Sequence, residues 1–399
     1  MNVLVLNCGS SSAKFAVLDT RRRARLLSGV AQRLGTPQAC VDWTEEGEAS
    51  TLPLPGAGHE AALRAVVALL RDRDLLATLG GVGHRVVHGG PRFSASTALT
   101  AEVVRQIEAC IPLGPLHNPP NLLGIQVAEE VLPGLPQVAV FDTAFHQSMP
   151  PRAFTYPVPL EWLERHQVRR YGFHGTSHRY VSERALEQLG LQGSPSALVT
   201  AHLGNGCSLA AVADGHSVDT TMGLTPLEGL MMGTRAGSVD PSLVCHMAQA
   251  LELPPARIGE ILNQESGLLG VSGLSNDLRT LEAAAEKGHR RAELALELFC
   301  YLLAKQVAAL VVPLGHLDAL VFTGGIGENS AQVRARVLGQ LGFLGLRTDP
   351  TANAVHGRTT GGRVSLGDHP RALVIPTDEE LLIALDTAAI AGERARATG

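Results

Sequence analysis

Residues 201–206 read Ala-His-Leu-Gly-Asn-Gly and lie between two short apolar runs, residues 197–200 and 209–212. Short apolar runs on either side of a glycine turn predict two strands joined as a hairpin. Gly204 and Gly206 have no side chain, so the backbone N–H groups of this turn can approach an anion such as phosphate. The same pattern is also typical of a glycine turn that binds no ligand.

The N-terminus repeats this layout. Residues 3–19 contain an apolar strand, a small-residue turn at Gly9, a second apolar strand and an Asp-containing turn, and aligning Gly9 with Gly204 also brings Asp19 onto Asp214. Two such hairpins far apart in one chain predict a duplicated fold with a nucleotide held between its halves. The length of 399 residues also favours two domains.

The composition is that of a soluble globular protein. Hydrophobic residues make up 45%, charged residues 18%, and the formal charge is −5, a balance that indicates neither nucleic acid nor an anionic membrane as a partner. The six cysteines are scattered without a Cys-x-x-Cys pair, which indicates a reducing cytoplasm and argues against structural zinc. We expect no signal peptide and no membrane span, because the chain begins with a strand pattern and no apolar run approaches 18 residues.

Two charged residues lie in or after further predicted strands. Arg85 lies in the strand pattern 82–90 with no acidic neighbour, so it requires a partner anion from elsewhere. Asp142 follows the buried run 138–141, and open α/β sheets bind ligands at the carboxyl ends of their strands. An aspartate that only caps the following turn is the alternative interpretation.

Helical spacing predicts helices over residues 59–79, 100–110 and 177–189, and a longer helical stretch over 281–312 that is interrupted near Gly288. We expect the first helix to end at Gly80-Gly81 and Ser177 to cap the third.

Two other segments are predicted to be loops. Four prolines between residues 112 and 120 predict an ordered loop around His117, and residues 220–241 predict a long loop around Arg235 of the kind that often carries function. The glycine-rich run 320–330 resembles a dinucleotide fingerprint only weakly, because that fingerprint opens a βαβ unit and this run lies near the end of the chain. A dinucleotide enzyme is therefore a minor alternative.

Nine motifs, in order along the chain, resemble those of the acetate kinase family: N-C-G-S-S-S-A-K-F, G-H-R-V-V-H-G-G, P-L-H-N-P-P-N, F-D-T-A-F-H, Y-G-F-H-G-T-S-H, H-L-G-N-G, T-P-L-E-G-L-M-M-G-T-R-x-G, F-T-G-G-I-G-E-N and P-T-D-E-E-L. The resemblance implies an α/β fold of two duplicated ribonuclease-H-like domains, as in actin-like ATPases, with an interdomain cleft. The N-terminal domain, on the carboxylate side, would comprise residues 1–148 plus 378–399, and the nucleotide-binding domain residues 149–377. A homodimer and the reversible transfer of phosphate from ATP to acetate with Mg²⁺ or Mn²⁺ are also implied.

The resemblance also implies roles for individual residues. The group around the transferring phosphate would be Arg85, Asp142, His174 and Arg235. Asn7 and Glu379 would help to hold the metal, directly or through water. The nucleotide would be bound by Lys14, His202, Leu203, Gly204, Asn205, Gly206, Asp277, Leu278, Arg279, Gly324, Gly325, Ile326, Gly327 and Glu328. The carboxylate substrate would be bound by Arg85, Val87, Leu116, His117, Phe173 and Pro226.

Two acidic residues need separate consideration. Acetate is already ionised at neutral pH because carboxyl groups titrate near pH 4, so Asp142 has no substrate proton to remove. We therefore expect Asp142 to act by position, by accepting hydrogen bonds from Arg85 or another cation, or by orienting metal-bound water. Asp378 stands where the family often has Asn, and an extra carboxylate beside Glu379 would alter metal affinity.

Two other functions compete with acetate phosphorylation. A propionate or butyrate kinase would differ only in the size of its acyl pocket. An ATP-driven switch like the heat-shock chaperones shares the fold, but it would leave Arg85 and Arg235 without a role.

Overall fold

The structure, a computed structural model, describes residues 1–398. They form two compact units, Met1–Gln147 together with the residues from Asp378 onward, and Ser148–Thr377. Each unit is an α/β assembly built on its own sheet.

The first unit has an eight-stranded sheet and four α-helices. Its strands are β1 (Asn2–Cys8), β2 (Ser12–Asp19), β3 (Ala24–Gln32), β4 (Cys40–Glu45), β5 (Glu48–Pro53), β6 (Leu79–Val86), β7 (Thr97–Ala98) and β8 (Gln137–Phe141). Its helices are α1 (His59–Arg71), α2 (Ala101–Glu108), α3 (Asn118–Val131) and the C-terminal α15 (Glu379–Thr398), with short 3-10 helices at Leu76–Thr78 and Ile111–Leu113. A third 3-10 helix, Ala144–Ser148, leads into the second unit.

The second unit has a five-stranded sheet, a two-stranded ribbon and eleven α-helices between residues 148 and 377. Its strands are β9 (Ala197–Leu203), β10 (Cys207–Ala213), β11 (His216–Thr220), β12 (Ala319–Thr323), β13 (Arg347–Thr348), β14 (Ser365–Leu366) and β15 (Arg371–Val374). Its helices are α4 (Pro151–Phe154), α5 (Leu160–His166), α6 (Gly175–Leu189), α7 (Ser242–Ala250), α8 (Pro255–Gln264), α9 (Gly267–Ser272), α10 (Leu278–Glu286), α11 (Arg290–Val311), α12 (Gly324–Asn329), α13 (Ala331–Gln340) and α14 (Pro350–Ala354), and a 3-10 helix spans Gly342–Leu344.

The two sheets share a core of five strands. The order is β3-β2-β1-β6-β8 in the first unit and β11-β10-β9-β12-β15 in the second. In each, the first three strands are antiparallel and the last three are parallel. The turns of both hairpins, residues 9–11 and 204–206, are equally long. The predicted duplication of a ribonuclease-H-like fold is therefore confirmed.

The first helix is shorter than predicted. α1 ends at Arg71, and Gly80-Gly81 lie inside β6 instead of at a helix end. The glycines of β6 serve packing, because a Cβ on Gly83 would lie 2.7 Å from the Ile383 Cγ2 atom of α15. A glycine in a strand can thus mark the close approach of a helix as well as a turn.

One further expectation was wrong in part and another entirely. Residues 114–117, which include His117, form a turn as expected, whereas Pro119 and Pro120 occupy the first turn of α3, where a missing N–H costs no hydrogen bond. α6 begins at Gly175, so Ser177 lies inside the helix and is not its cap. Its hydroxyl instead lies 2.8 Å from Nδ1 of His202.

α11 is long and apolar enough to cross a membrane when judged by length and composition alone. Its apolar side chains, among them Leu296, Phe299 and Leu303, are buried within the second unit. This burial is that of a core helix, since such helices pass the same test of composition.

Candidate active site

Three parallel strands of the first unit bring side chains of the predicted site to one edge of the sheet. β1, β6 and β8 carry Asn7, Arg85 and Asp142 at or directly beside their carboxyl ends. Lys14 lies opposite Asn7 in the β1–β2 register. The carboxyl edge is where open α/β sheets bind ligands, so residues far apart in the sequence are placed at a typical ligand site.

Arg85 and Asp142 form a bidentate ion pair at this edge. Nε of Arg85 donates to Oδ1 of Asp142 at 2.9 Å, and Nη2 donates to Oδ2 at 2.7 Å. The Asp142 side chain is only 2% exposed, whereas that of Arg85 is 23% exposed. Burial opposes the charge on Arg85, but the carboxylates of Asp142 and Glu379 outweigh it and raise the Arg85 pKa. The guanidinium is thus held rigidly while one side of it reaches the surface of the unit.

Glu379 lies at the first position of α15, within electrostatic range of this pair. Burial raises the pKa of Glu379; Arg85 and Lys14 oppose the shift, while Asp142 adds to it. Asp378 caps the helix, because its Oδ1 accepts a hydrogen bond from the backbone N–H of Leu381 at 3.0 Å. A further cation at this edge would therefore stabilise the ionised form of Glu379.

Residues assigned to the substrate's methyl group differ in exposure. Val87 is 8% exposed, and its N–H donates to Oδ1 of Asn121 at 3.0 Å. Leu116 is 70% exposed, and His117 stands directly before α3. In the second unit Phe173 is 2% exposed, and Pro226 lies in the irregular segment that follows β11.

In the second unit, two histidines and an arginine surround the turn of the β9–β10 hairpin. The rings of His174 and His202 stack with centroids 4.3 Å apart. A Cβ placed on Gly206 would lie 3.4 Å from Nε2 of His174 and 3.5 Å from Nη1 of Arg235. Nε2 of His174 and Nη1 of Arg235 therefore lie on the same side of Gly206, next to the turn of the hairpin.

Arg235 lies in the predicted long loop, where residues 221–241 contain no helix or strand. Its Nη1 donates to the carbonyl oxygen of Pro226 at 3.2 Å. Burial lowers the pKa of this guanidinium, and in the described part of the chain no carboxylate pairs with it. A half-buried cation without an acidic partner is suited to bind an anionic group.

A cavity of about 560 Å³ adjoins the same hairpin. Its walls include Gly204 and Asn205 of the turn, Gly325 and Ile326 of α12, and the 277–279 segment at the start of α10. Gly324 has a positive φ and lies against the backbone of Leu203, whose carbonyl oxygen would be 2.8 Å from a Cβ at position 324. Glycine at this position therefore allows α12 to begin directly beside β9. The cavity has the size and mixed lining of a small-molecule site.

Comparison with known proteins decides the family. The profile of the family described as "Acetokinase family" matches residues 2–385. The chain belongs to this family. It is 54% identical over 394 residues to the acetate kinase of Deinococcus radiodurans and 53% identical over 389 residues to that of Ectopseudomonas mendocina, with 99% and 98% of both chains covered, respectively.

Two solved structures are similar to this chain over nearly its whole length. The acetate kinase of Porphyromonas gingivalis superposes with a TM-score of 0.92 at 44% identity, covering 98% of this chain and 99% of the other. A propionate kinase from Francisella tularensis superposes with a TM-score of 0.93 at 42% identity and the same coverage. This acetokinase is therefore a kinase whose phosphoryl acceptor is a carboxylate.

The cavity of the acetokinase is lined by only part of the predicted nucleotide set. His202, Leu203, Gly206, Gly324, Gly327 and Glu328 do not line it. Glu328 turns inward, where its Oε1 accepts from the N–H groups of Gly324 at 2.9 Å and Thr377 at 3.2 Å. Four lining residues escaped the sequence analysis: Asn276, Glu282, Asn329 and Ser330. Asn276 directly precedes the predicted segment 277–279, and Asn329 directly follows the predicted segment 324–328. Nothing in the sequence marked Glu282 except its place in a predicted helix.

Proposed function

We propose that this acetokinase transfers the γ-phosphoryl group of ATP reversibly to acetate, giving acetyl phosphate and ADP by direct in-line transfer. The observation that carries the proposal is the bidentate pair of Arg85 and Asp142 at the carboxyl edge of the first sheet. It holds a permanently charged planar group in one orientation, as phosphoryl transfer requires.

Phosphoryl transfer needs positive groups around three equatorial oxygens. Nε and Nη2 of Arg85 are bonded to Asp142, which leaves the Nη1 side for substrate. Arg235 and His174 would supply the other donors, since Nη1 of Arg235 and Nε2 of His174 lie on the same side of Gly206. Asp142 keeps Arg85 in place and is not required to remove a proton.

The oxygen donors at this edge are suited to Mg²⁺. Asn7 and Glu379 would hold it, directly or through water, and the ion would neutralise charge on the nucleotide phosphates. No group of three or more His, Cys, Asp or Glu side chains with metal-binding geometry occurs among residues 1–398. Mg²⁺ does not need such a cage, because it usually keeps several waters and binds one or two carboxylates plus substrate phosphates.

The cavity beside the β9–β10 hairpin is the proposed nucleoside site. Its volume of about 560 Å³ is within the range of sites for small molecules. The 277–279 segment and residues 324–326 would hold the nucleoside, and the hairpin turn with His202 and Lys14 would contact phosphates.

Acetate is the proposed acceptor, with Val87, Leu116, Phe173 and Pro226 assigned to its methyl group and His117 nearby. A propionate kinase is the competing candidate, favoured by the likeness to the Francisella tularensis enzyme. The experiment is a kcat/KM series over formate, acetate, propionate and butyrate with ATP and Mg²⁺. Acetate should be the best acceptor, propionate second and butyrate much worse; equal turnover of butyrate would contradict the proposal.

An actin-like ATPase switch is the remaining alternative. ADP release would then be independent of acetate, whereas the proposed kinase should release ADP only when a carboxylate acceptor is present. Purified protein assayed with and without acetate distinguishes the two.

We also propose that the protein is cytoplasmic and homodimeric, with no nucleic-acid or membrane partner. Exposed apolar side chains of α5, Leu160 and Trp162, support association between copies. Sedimentation velocity tests the dimer.

A further inference from the structure

A buried chain of hydrogen-bonding groups lies behind His174. Oγ of Ser208 is 2.8 Å from Nδ1 of His174 and 2.7 Å from Nε2 of His178. Nδ1 of His178 is in turn 2.7 Å from Oγ1 of Thr200. Ser208, His178 and Thr200 have no exposed surface, so their polar atoms need partners inside the protein.

The donor and acceptor roles in this chain depend on the tautomers of the two rings, and the contact of Thr200 with Ala210 favours one set. Thr200 has one hydroxyl hydrogen and donates it to the carbonyl oxygen of Ala210 at 3.5 Å, so it accepts from Nδ1–H of His178. Burial disfavours a charged ring, and the neutral ring of His178 then accepts at Nε2 from the hydroxyl of Ser208. The oxygen of Ser208 accepts in its turn from Nδ1–H of His174.

We infer that Ser208 is a positioning residue that keeps a proton on Nδ1 of His174 and so directs Nε2 to the phosphoryl-transfer site. This inference rests on the proposed function. Nε2 of His174 lies on the same side of Gly206 as Nη1 of Arg235, since a Cβ at position 206 would be 3.4 Å from the first and 3.5 Å from the second. The stacked ring of His202, itself bonded to Ser177, supports the face of His174.

The hydrogen bond from His174 to Ser208 determines which ring nitrogen of His174 contacts the phosphoryl oxygens. With Nδ1 committed to Ser208, a second proton on the ring must go to Nε2, which then donates toward the transferring group. Without the hydroxyl, the ring loses the contact that distinguishes its two nitrogens, and it can rotate or exchange tautomers. The expected loss is in kcat, because the donor is needed most in the transition state.

The test uses the full-length protein with ¹⁵N-labelled histidine, and the His174 signal is identified by its absence in His174→Gln. The wild type should show the Nδ1–H tautomer for the neutral ring, and Ser208→Ala should show a mixture. In the same variant kcat should fall about tenfold or more, while KM values for ATP and acetate change by less than about twofold. Ser208→Thr, which keeps the hydroxyl, should recover much of both readouts.

The matched control is Ser182→Ala. Ser182 is 1% exposed and lies on α6, but its hydroxyl donates to the carbonyl oxygen of Arg179, away from His174. It should change neither the His174 spectrum nor kcat. If Ser208→Ala does not fold, Ser208→Cys takes its place as a weaker hydrogen-bonding group of similar size.

A wild-type spectrum with the proton on Nε2, or a His174 spectrum that is the same in wild type and Ser208→Ala, would overturn the inference. The spectrum requires no substrate and no turnover. A protein that shows the expected tautomer change but does not phosphorylate acetate would refute the proposed function and leave the positioning by Ser208 intact.

Discussion

Arg85 and Asp142 meet through two parallel hydrogen bonds, 2.9 Å from Nε to Oδ1 and 2.7 Å from Nη2 to Oδ2. Arg85 lies in β6 and Asp142 directly follows the neighbouring parallel strand β8. A contact with Arg85 was one of the alternatives expected for Asp142, beside a contact with another cation or with metal-bound water.

Asp142→Asn should lower kcat about a hundredfold or more, because a neutral amide cannot hold the Arg85 guanidinium through two charged contacts. The measurement is kcat in the acetate-phosphorylating direction, in wild type and variant, between about pH 6 and 8. Both profiles should have the same shape. A limb that is present in the wild type and absent in the variant would restore Asp142 as a general base. Glu102→Gln, which removes an exposed ion pair with Arg105, is the control and should keep wild-type kcat.

Arg235→Ala should lower kcat/KM about a hundredfold or more, since a donor aimed at transition-state charge is lost. Arg235→Lys should recover only part of this, because an ammonium lacks the planar fork. Arg257→Ala removes an exposed arginine of the same unit that pairs with Glu260 and Glu265, and it should keep wild-type kcat/KM. An Arg235→Ala enzyme with a tenth of wild-type activity would place this residue away from the phosphoryl group. Arg85→Ala is expected to behave as Arg235→Ala does.

Val87→Ala should shift the preference from acetate toward propionate by about tenfold in the ratio of kcat/KM values, as one methylene in an apolar pocket is worth roughly 1 to 3 kcal/mol. Val86→Ala is the matched control. Val86 is completely buried in the core beside Phe93 and Phe141, so its truncation should lower stability without altering the ratio. An unchanged ratio in Val87→Ala would remove this residue from the acyl pocket.

Glu379→Gln should raise the Mg²⁺ concentration for half-maximal activity about tenfold or more, because an anionic oxygen ligand is replaced by a neutral amide. Mn²⁺ binding in the presence of ADP, followed by electron paramagnetic resonance, should weaken in parallel. Glu380→Gln is the control, since Glu380 pairs with Arg25 at 2.9 Å. If both variants have the same metal dependence as the wild type, Glu379 is not a ligand.

The burial of His84 predicts that the stability of the protein depends on pH, independently of catalysis. It is buried against Gln137, and burial lowers its pKa from 6.5 to about 4. Between these values the unfolded chain binds more protons than the folded one. The contribution of His84 to the free energy of unfolding is therefore fully present above pH 6.5 and is lost as the pH drops toward 4. The loss from this group is on the order of 3 kcal/mol.

His84→Gln should flatten this part of the pH profile, as measured by urea unfolding at several pH values. His166→Gln, at an exposed position of α5, should leave the slope as in the wild type. The same slope in all three proteins would show that His84 does not cause the acid destabilisation.

Local sequence patterns predicted much of the architecture. Apolar runs around Gly9 and Gly204 indicated both hairpins, and the spacing of residues 281–312 indicated α10 and α11 with their break at Gly288. Such patterns succeed because side-chain periodicity, glycine and turn residues act on the nearest few residues of the backbone. They were wrong at Gly80, which lies in a strand instead of ending a helix, and at Pro119, which lies in the first turn of a helix instead of in a loop.

The sequence by itself determined that the chain contains two similar hairpins, a set of anion-binding residue types and the motifs of the acetokinases. Only the tertiary structure decided which of them meet. Arg85 and Asp142 are 57 residues apart, and their pairing depends on β6 and β8 being neighbours in the sheet. The chain of His174, Ser208, His178 and Thr200 and the entry of Glu282 into the cavity wall also required the packing of separate elements. Hydrogen-bond geometry depends on positions to within a fraction of an ångström, and those are set by long-range packing, which no local pattern encodes.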